Sequence, residues 1–423
     1  MGASLSPAAD ASDPSVSDLE RTPSLPGFGR LTSIDALRGF DMIWIIGAAP
    51  IVKAIDAAHP GPTTTRLVEQ LKHVDWEGFR FNDLIFPLFL VLVGVSVVLS
   101  LDKQLDRVGL WRTVARIVRR SLLLFLLGVL YYGGLTKTWP EVNLGGVLHR
   151  IAACYLFAAL IYCAVCSARG LLLISAVLLA GYWAALTYVP FPDLTLTEEN
   201  VAAIAERISS NDPAEISAAV ESRIAGVYEE GRNLTNYIDF RYLPGKKAQR
   251  YYINEGLLST IPAIALTLFG CILGRQLRRP DDGAGRRIFS MVIFGVLLTA
   301  GGILWGESFP IIKRIWTSSF VMLAGGLSVL LIALFHLIVD VWGLSLWCRP
   351  FVWVGANAIT MYLAAKVISF STLAKYFVGG DVAIWLDGRF GVGAAEIAAA
   401  VVGLLLIILL ARLLYRHGVF IRV

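Results

Sequence analysis

The chain has 423 residues, 56% of them hydrophobic and 16% charged, with a mean hydropathy of +0.67. Soluble domains carry about 25% charged residues, so a water-soluble globule is excluded. The net charge of +5 comes from basic residues scattered through loops rather than gathered in a stripe, which excludes nucleic-acid binding.

In chain order, residues 1–30 are rich in Ser, Pro, Ala and Asp and lack an apolar stretch, so they are expected to form a disordered cytoplasmic tail. Ten apolar runs follow, at about 34–52, 84–101, 117–134, 147–166, 170–190, 256–275, 287–306, 317–340, 350–371 and 391–414. At 1.5 Å per residue, runs of about 20 residues cross a hydrocarbon layer of roughly 30 Å. The expected fold is therefore an all-α polytopic membrane protein, a bundle of about ten transmembrane helices forming one domain over 31–423. Lys and Arg residues favour one set of loops and both termini by eighteen to nine, which places both termini in the cytoplasm.

The segment 191–254 then becomes an extracytoplasmic insertion between helices five and six. Within it, Val201, Ile204, Ile208, Ile216, Val220, Ile224 and Val227 follow near-helical spacing, so Glu198 to Tyr228 is expected to form an amphipathic helix in a cap. Asn233-Leu234-Thr235 matches a glycosylation sequon, more simply a chance match. Five cysteines cannot pair completely, and Cys163 and Cys166 lack the second pair that a metal site would need, so neither disulfides nor a metal site is expected. Gly270/Gly274 and Gly302/Gly306 have the G-x-x-x-G spacing that permits close helix approach, either within the chain or in a homodimer.

Polar residues inside apolar spans are costly and mark pathways, sites or structural locks. Asp35, Arg38 and Asp41 lie at i, i+3 and i+6, as an ion-paired network or as a place where Arg38 receives a phosphate. The run Lys72-His73-Val74-Asp75-Trp76-Glu77, ending in Asn82-Asp83, combines a histidine with three carboxylates able to orient its ring. By itself such a run also suits an interfacial cap anchored by Trp76. Arg150 can snorkel or pair with Asp83 or another carboxylate, His149 suits a satisfied interfacial position, and Asn357 suits an interhelical hydrogen bond.

Six blocks together resemble the heparan-α-glucosaminide N-acetyltransferase family: SIDALRGFDM at 33–42, KHVDWEGFRFNDLIFPLF at 72–89, GVLHRIAACY at 146–155, NEGLLSTIPAIALTLFG at 254–270, FPIIKRIWTSSF at 309–320 and VGANAITMYL at 354–363. The resemblance implies a transmembrane acyltransferase of a bacterial inner membrane. It would take acetyl from cytoplasmic acetyl-CoA and deliver it to the amino group of a glucosamine-like acceptor on the far side of the bilayer. It assigns the active histidine to His73, as general base or acetyl carrier, and the acidic partner to Asp83. Glu77 is a second candidate for holding the ring. Arg150 or Asn357 is expected to polarise the thioester, and Arg38, Arg119 or Arg120 to meet the CoA phosphates. Where animal members carry Asn late in span one and after the motif Trp, this chain has Ala49 and Glu77, changes that bear on the acceptor. Ten spans with a few internal charges also suit a permease or flippase for a polar solute or lipid-linked sugar, and a non-catalytic assembly protein is the third reading.

Overall fold

The computed structural model describes residues 31–278 and 283–420. The expected tail, and with it Arg21, Arg30, Arg279 and Arg422 of the loop-charge comparison, lies outside the described residues. The protein is mostly helical with little sheet.

The chain opens with α1 (Thr32–Ile43), a π-helical turn over Trp44–Ala48 and α2 (Ala49–Ala58), then the short α3 (Pro62–Gln70). The first expected span is thus helical throughout but changes winding after Ile43, and π-turns of this kind are frequent at functional sites. Next come α4 (Phe81–Val108), α5 (Leu110–Tyr131), α6 (Val147–Ala164) and α7 (Ala168–Tyr188).

The segment 191–254 departs from a single amphipathic helix. It holds β1 (Phe191–Pro192), α8 (Glu198–Ile208), α9 (Pro213–Ala218), β2 (Arg223–Ile224), β3 (Tyr228–Glu229), β4 (Arg232–Asn233) and α10 (Leu234–Tyr242). Ser209, left-handed at φ 55°, ends α8, and Asp212 accepts the Ala214 N–H at 2.8 Å to start α9 at Pro213. Two-residue antiparallel pairs, β1 with β2 and β3 with β4, replace the expected last turns. A small core of Leu194, Leu196, Val201, Ala205, Ile216, Phe240 and Tyr252 holds this cap together. The sequon is used structurally: buried Asn233 accepts the Asn236 N–H at 2.9 Å as N-cap of α10.

After the cap follow α11 (Thr260–Leu277), α12 (Ala284–Gly306), α13 (Ser318–Phe335) with a π-helical end over His336–Val341, α14 (Arg349–Ala356), α15 (Ala358–Val367), α16 (Phe370–Lys375), α17 (Asp381–Phe390) and α18 (Ala394–Arg416). Among the described residues, seven helices are long and apolar enough to cross a membrane: α4, α6, α7, α11, α12, α13 with its π-helical end, and α18. Of the other three expected spans, the first is broken by its π-turn, α5 carries Arg112, Arg116, Arg119 and Arg120, and the ninth is divided at Asn357.

Helices α4 and α11 form the buried centre, and their backbones touch. A Cβ on Gly94 would sit 2.0 Å from the Thr267 carbonyl oxygen, and one on Gly270 2.1 Å from that of Val91. Gly274 likewise faces Val95 and Val98, Gly302 faces Ser319 and Leu323, and Gly306 faces the Ile311 side chain, so all four motif glycines meet neighbours within the chain. All five cysteines are free.

The cap sits on one end of the bundle. Its contacts run to the loop before α4, to Val142 ahead of α6, whose carbonyl accepts the Lys246 N–H at 3.0 Å, and to the 307–317 turn between α12 and α13. The opposite end is marked by Asp102, which accepts from Tyr162 at 2.7 Å and pairs with Arg278.

Candidate functional site

Two loops meet at the cap end because their backbones pair. The Gly78 N–H donates to the Ile311 carbonyl at 2.9 Å, and Glu77 bridges to Ile312. Gly78 has φ 125°, a conformation that favours glycine, which allows the chain to turn from this bridge into α4. Trp76 donates from Nε1 to the Tyr228 carbonyl at 2.8 Å and so ties the loop to the cap. On the other side, Thr317 accepts the Ile312 N–H at 3.0 Å and the Phe320 N–H at 3.4 Å, folding the turn and starting α13 with one hydroxyl.

These constraints bring Lys313 to His73 and Asp83. His73 Nδ1 lies 2.8 Å from Asp83 Oδ1, and Lys313 Nζ lies 3.0 Å from the same ring nitrogen and 3.4 Å from the same carboxylate oxygen. Asn82 Nδ2 stands 3.3 Å from His73 Nε2 and 3.4 Å from Nδ1. Asp83 Oδ2 accepts the Arg80 N–H at 3.0 Å, so the carboxylate also caps α4, while Arg80 donates to the His73 carbonyl at 3.0 Å. Pro87, four residues on, has no N–H to give the Asp83 carbonyl. The Asp83 side chain is 1% exposed, that of Lys313 13% and that of His73 56%. A buried carboxylate thus grips one edge of a ring whose other edge faces outward.

Glu77 belongs to the loop through its backbone. Its carboxylate is exposed and makes no hydrogen bond to the ring among the described residues. The contribution of Lys313 and Asn82 was not read from the sequence. Asn82 directly precedes the expected Asp83, but Lys313 is 240 residues from His73 and carries no local signal.

Arg150 does not pair with Asp83; the carboxylate it meets is that of Glu255, 3.9 Å from Nε. Buried at the start of α6, it donates to the carbonyls of Ser259 at 3.1 Å, Gly256 at 3.0 Å and Glu255, and to Ser259 Oγ at 2.6 Å. Its guanidinium lies 5.1 Å from the Trp316 ring centroid. The 253–259 turn has already spent its geometry on Asp239, which accepts the Leu257 N–H at 2.9 Å and the Ile253 N–H at 3.4 Å, leaving carbonyls turned toward Arg150. Burial pushes the Asp239 carboxyl up to about 6. Arg150 therefore ties the cap connection to the bundle through both of its terminal nitrogens. His149 Nδ1 accepts the Gly146 N–H at 3.2 Å and its ring fills the space that a Cβ on Gly128 would take, but the residue is buried and Nε2 has no partner among the described residues, where a satisfied position was expected.

Toward the other end, Arg38 pairs with Asp35 at 3.3 Å and donates to Ser96 Oγ on α4 at 2.8 Å. Asp41 does not join this pair. It is fully buried, and neither carboxylate oxygen has a hydrogen-bond partner among the described residues. Asn357, 3% exposed at the break between α14 and α15, likewise has both amide atoms unpartnered among those residues, where an interhelical bond was expected. Arg119 is exposed, while Arg120 stacks 4.8 Å from the Tyr155 ring centroid. Asp83 and Ser96 are thirteen residues apart on α4, so the His73 cluster and the Arg38 pair are separated by about 20 Å along one helix. Among the described residues, no group of three or more His, Cys, Asp or Glu side chains is arranged to hold a metal ion.

Residues 30–212 match the family described as heparan-alpha-glucosaminide N-acetyltransferase, catalytic. The chain is 25% identical over 335 residues to heparan-alpha-glucosaminide N-acetyltransferase of Homo sapiens, covering 70% of this chain and 48% of that protein. It is 24% identical over 348 residues to the Mus musculus protein of the same name, covering 70% and 49%. The resemblance read from the six sequence blocks is thus found by direct comparison as well. The chain spans about half the length of these relatives.

Proposed function

We propose that the chain is a transmembrane N-acetyltransferase, which transfers acetyl from cytoplasmic acetyl-CoA to the amino group of a glucosamine-like sugar on the opposite side of a bacterial inner membrane. The ten expected helical segments form its membrane domain, both termini are cytoplasmic, and the cap is extracytoplasmic. The observation that carries this reading is the His73–Asp83–Lys313 cluster, which combines a partly open imidazole with a buried carboxylate at the end of the bundle where the cap sits.

Chemically, the acceptor arrives as an ammonium and cannot attack a thioester until it loses a proton. With Nδ1–H held by Asp83, the Nε2 lone pair of His73 takes that proton. The free amine adds to the thioester carbonyl, and as the C–S bond breaks the surplus proton on the adduct nitrogen passes to the departing CoA sulfur, giving amide and thiol, while the proton held by His73 is released to solvent. Asn357, whose amide has no partner among the described residues, is assigned to the thioester oxygen. Arg150 is not assigned to that role because both of its terminal nitrogens are engaged by the 255–259 turn. Arg38, Arg119 and Arg120 are assigned to the CoA phosphates, with Arg119 the most accessible. About 20 Å separates the two clusters on α4, a distance suited to an extended donor arm entering between helices.

The test is acetyl transfer by the purified protein in detergent, read as thiol release from acetyl-CoA with glucosamine as acceptor. His73→Ala is expected to abolish release while preserving thermal unfolding behaviour. Normal turnover by that variant overturns the role of the ring. Uptake of labelled amino sugar into proteoliposomes without acetyl-CoA, with no thiol release, would instead identify a transporter.

A further inference from the structure

We propose that Lys313 is a positioning residue for His73: paired with Asp83 and set against ring Nδ1, it fixes the ring tautomer and leaves the Nε2 lone pair to meet the acceptor amine. This inference rests on the reading of His73 as a base. It starts from a conflict in the geometry. One ring nitrogen lies 2.8 Å from a carboxylate oxygen and 3.0 Å from an ammonium. It cannot donate to the first and accept from the second at the same time.

The ion pair resolves the conflict. Lys313 Nζ is 3.4 Å from Asp83 Oδ1, so two donors, the ammonium and Nδ1–H, converge on the same oxygen. The 3.0 Å approach of Nζ to Nδ1 is then a contact between neighbours on one acceptor. The only remaining lone pair on the ring is at Nε2, where Asn82 stands at 3.3 Å and can yield to an incoming amine. When Nε2 takes a proton, the imidazolium must share a single carboxylate with the ammonium beside it. Lys313 thereby favours release of that proton from Nε2 to solvent, which frees the lone pair for the next turnover.

The other charged groups around the ring are placed differently. Lys72, Asp75 and Glu77 are exposed on the same loop, and Arg80 is engaged with the His73 carbonyl. Arg314, next to Lys313 in the turn, is turned to Glu230 of the cap at 2.7 Å. Among the described residues, Asp83 and Lys313 are the charged side chains with an ion-pair or hydrogen-bond contact to the ring.

The experiment uses full-length protein in detergent with Lys313→Gln, Lys313→Met and Lys313→Arg. Carbethoxylation of His73 by diethylpyrocarbonate, which modifies the neutral ring, is followed against pH as the difference from His73→Ala. Both neutral variants are expected to move the midpoint of modification upward by about one pH unit, and Lys313→Arg to leave it near wild type. The acid limb of kcat/KM for thiol release should move by the same amount. A midpoint unmoved in both neutral variants overturns the proposal, as does an arginine variant that moves as far as they do. A moved midpoint in a protein that releases no thiol would keep the role of Lys313 and discard the acetyltransferase.

Discussion

Replacing Asp83 with Asn removes a charge while keeping nearly the same shape. In the native site three donors converge on the carboxylate: His73 Nδ1–H and the Lys313 ammonium on Oδ1, and the Arg80 N–H on Oδ2. An amide offers one acceptor and one donor in place of two acceptors, so it must choose. If its oxygen stays on the cap, the NH2 faces His73 and Lys313. The ring can accommodate this only by turning Nδ1 into an acceptor and moving its proton to Nε2, which removes the base. If its oxygen stays on the ring, the NH2 opposes the Arg80 N–H, losing a helix-capping bond worth about 1 kcal/mol and leaving a buried clash. Both choices strip Lys313 of its counter-charge. Kinetically, kcat/KM for thiol release is expected to fall at least 10²-fold, about 2.7 kcal/mol of transition-state stabilisation, within the usual range for disabling a positioned base. Thermal or denaturant unfolding should show a loss of about 1–3 kcal/mol, the cost of leaving buried polar groups unpaired. Activity within threefold of wild type in a folded Asp83→Asn protein would refute the claim that this carboxylate orients the ring.

Asp239 gives a pH prediction of definite sign. Its carboxyl is raised to about 6 from an ordinary value near 3.8, so the folded protein binds a proton that the unfolded chain has already released between those values. Stability from this group is fully present below about pH 4, is lost as pH rises through 6, and is flat above. The difference amounts to at most about 3 kcal/mol. The stability difference between Asp239→Asn and wild type should therefore shift in favour of the variant by up to about 3 kcal/mol between pH 4 and pH 8, on top of a constant cost for the amide NH2 that faces the Ile253 or Leu257 N–H; a difference independent of pH would contradict the burial argument. Arg150→Met is expected to lower stability by roughly 3 kcal/mol or more, because the carbonyls of Glu255, Gly256 and Ser259 lose their shared donor. In the surviving folded fraction, KM for acetyl-CoA should be unchanged, and a large rise in that KM would return Arg150 to the donor site.

How much was legible in advance differs from residue to residue. His73 and Asp83 are ten positions apart in one polar run that leads directly into an apolar helix. Their meeting is a local event, visible as a histidine and a helix-capping carboxylate at the mouth of a span. The ion-pair network expected from Asp35, Arg38 and Asp41 was only half legible. Spacing on one helix predicts the Arg38–Asp35 pair, but whether Asp41 finds a partner depends on the neighbouring helices, and among the described residues it finds none. The cap helix expected through Tyr228 stops at Ile208 because Ser209 turns left-handed and Pro213 begins a new helix, where turn chemistry overrides apolar spacing.

Composition and hydropathy determined by themselves that this chain lies in a membrane and folds as helices, because a bilayer offers no other partner to backbone N–H and C=O groups. They also located the polar run that holds His73. Tertiary structure alone decided which distant charges meet. Lys313 reaches His73 only because Gly78 and Glu77 pair with Ile311 and Ile312, and Arg150 faces carbonyls only because Asp239 has taken the N–H groups of the same turn. Long-range pairing of this kind leaves no periodicity in the chain, since it is set by which loops share one end of the bundle.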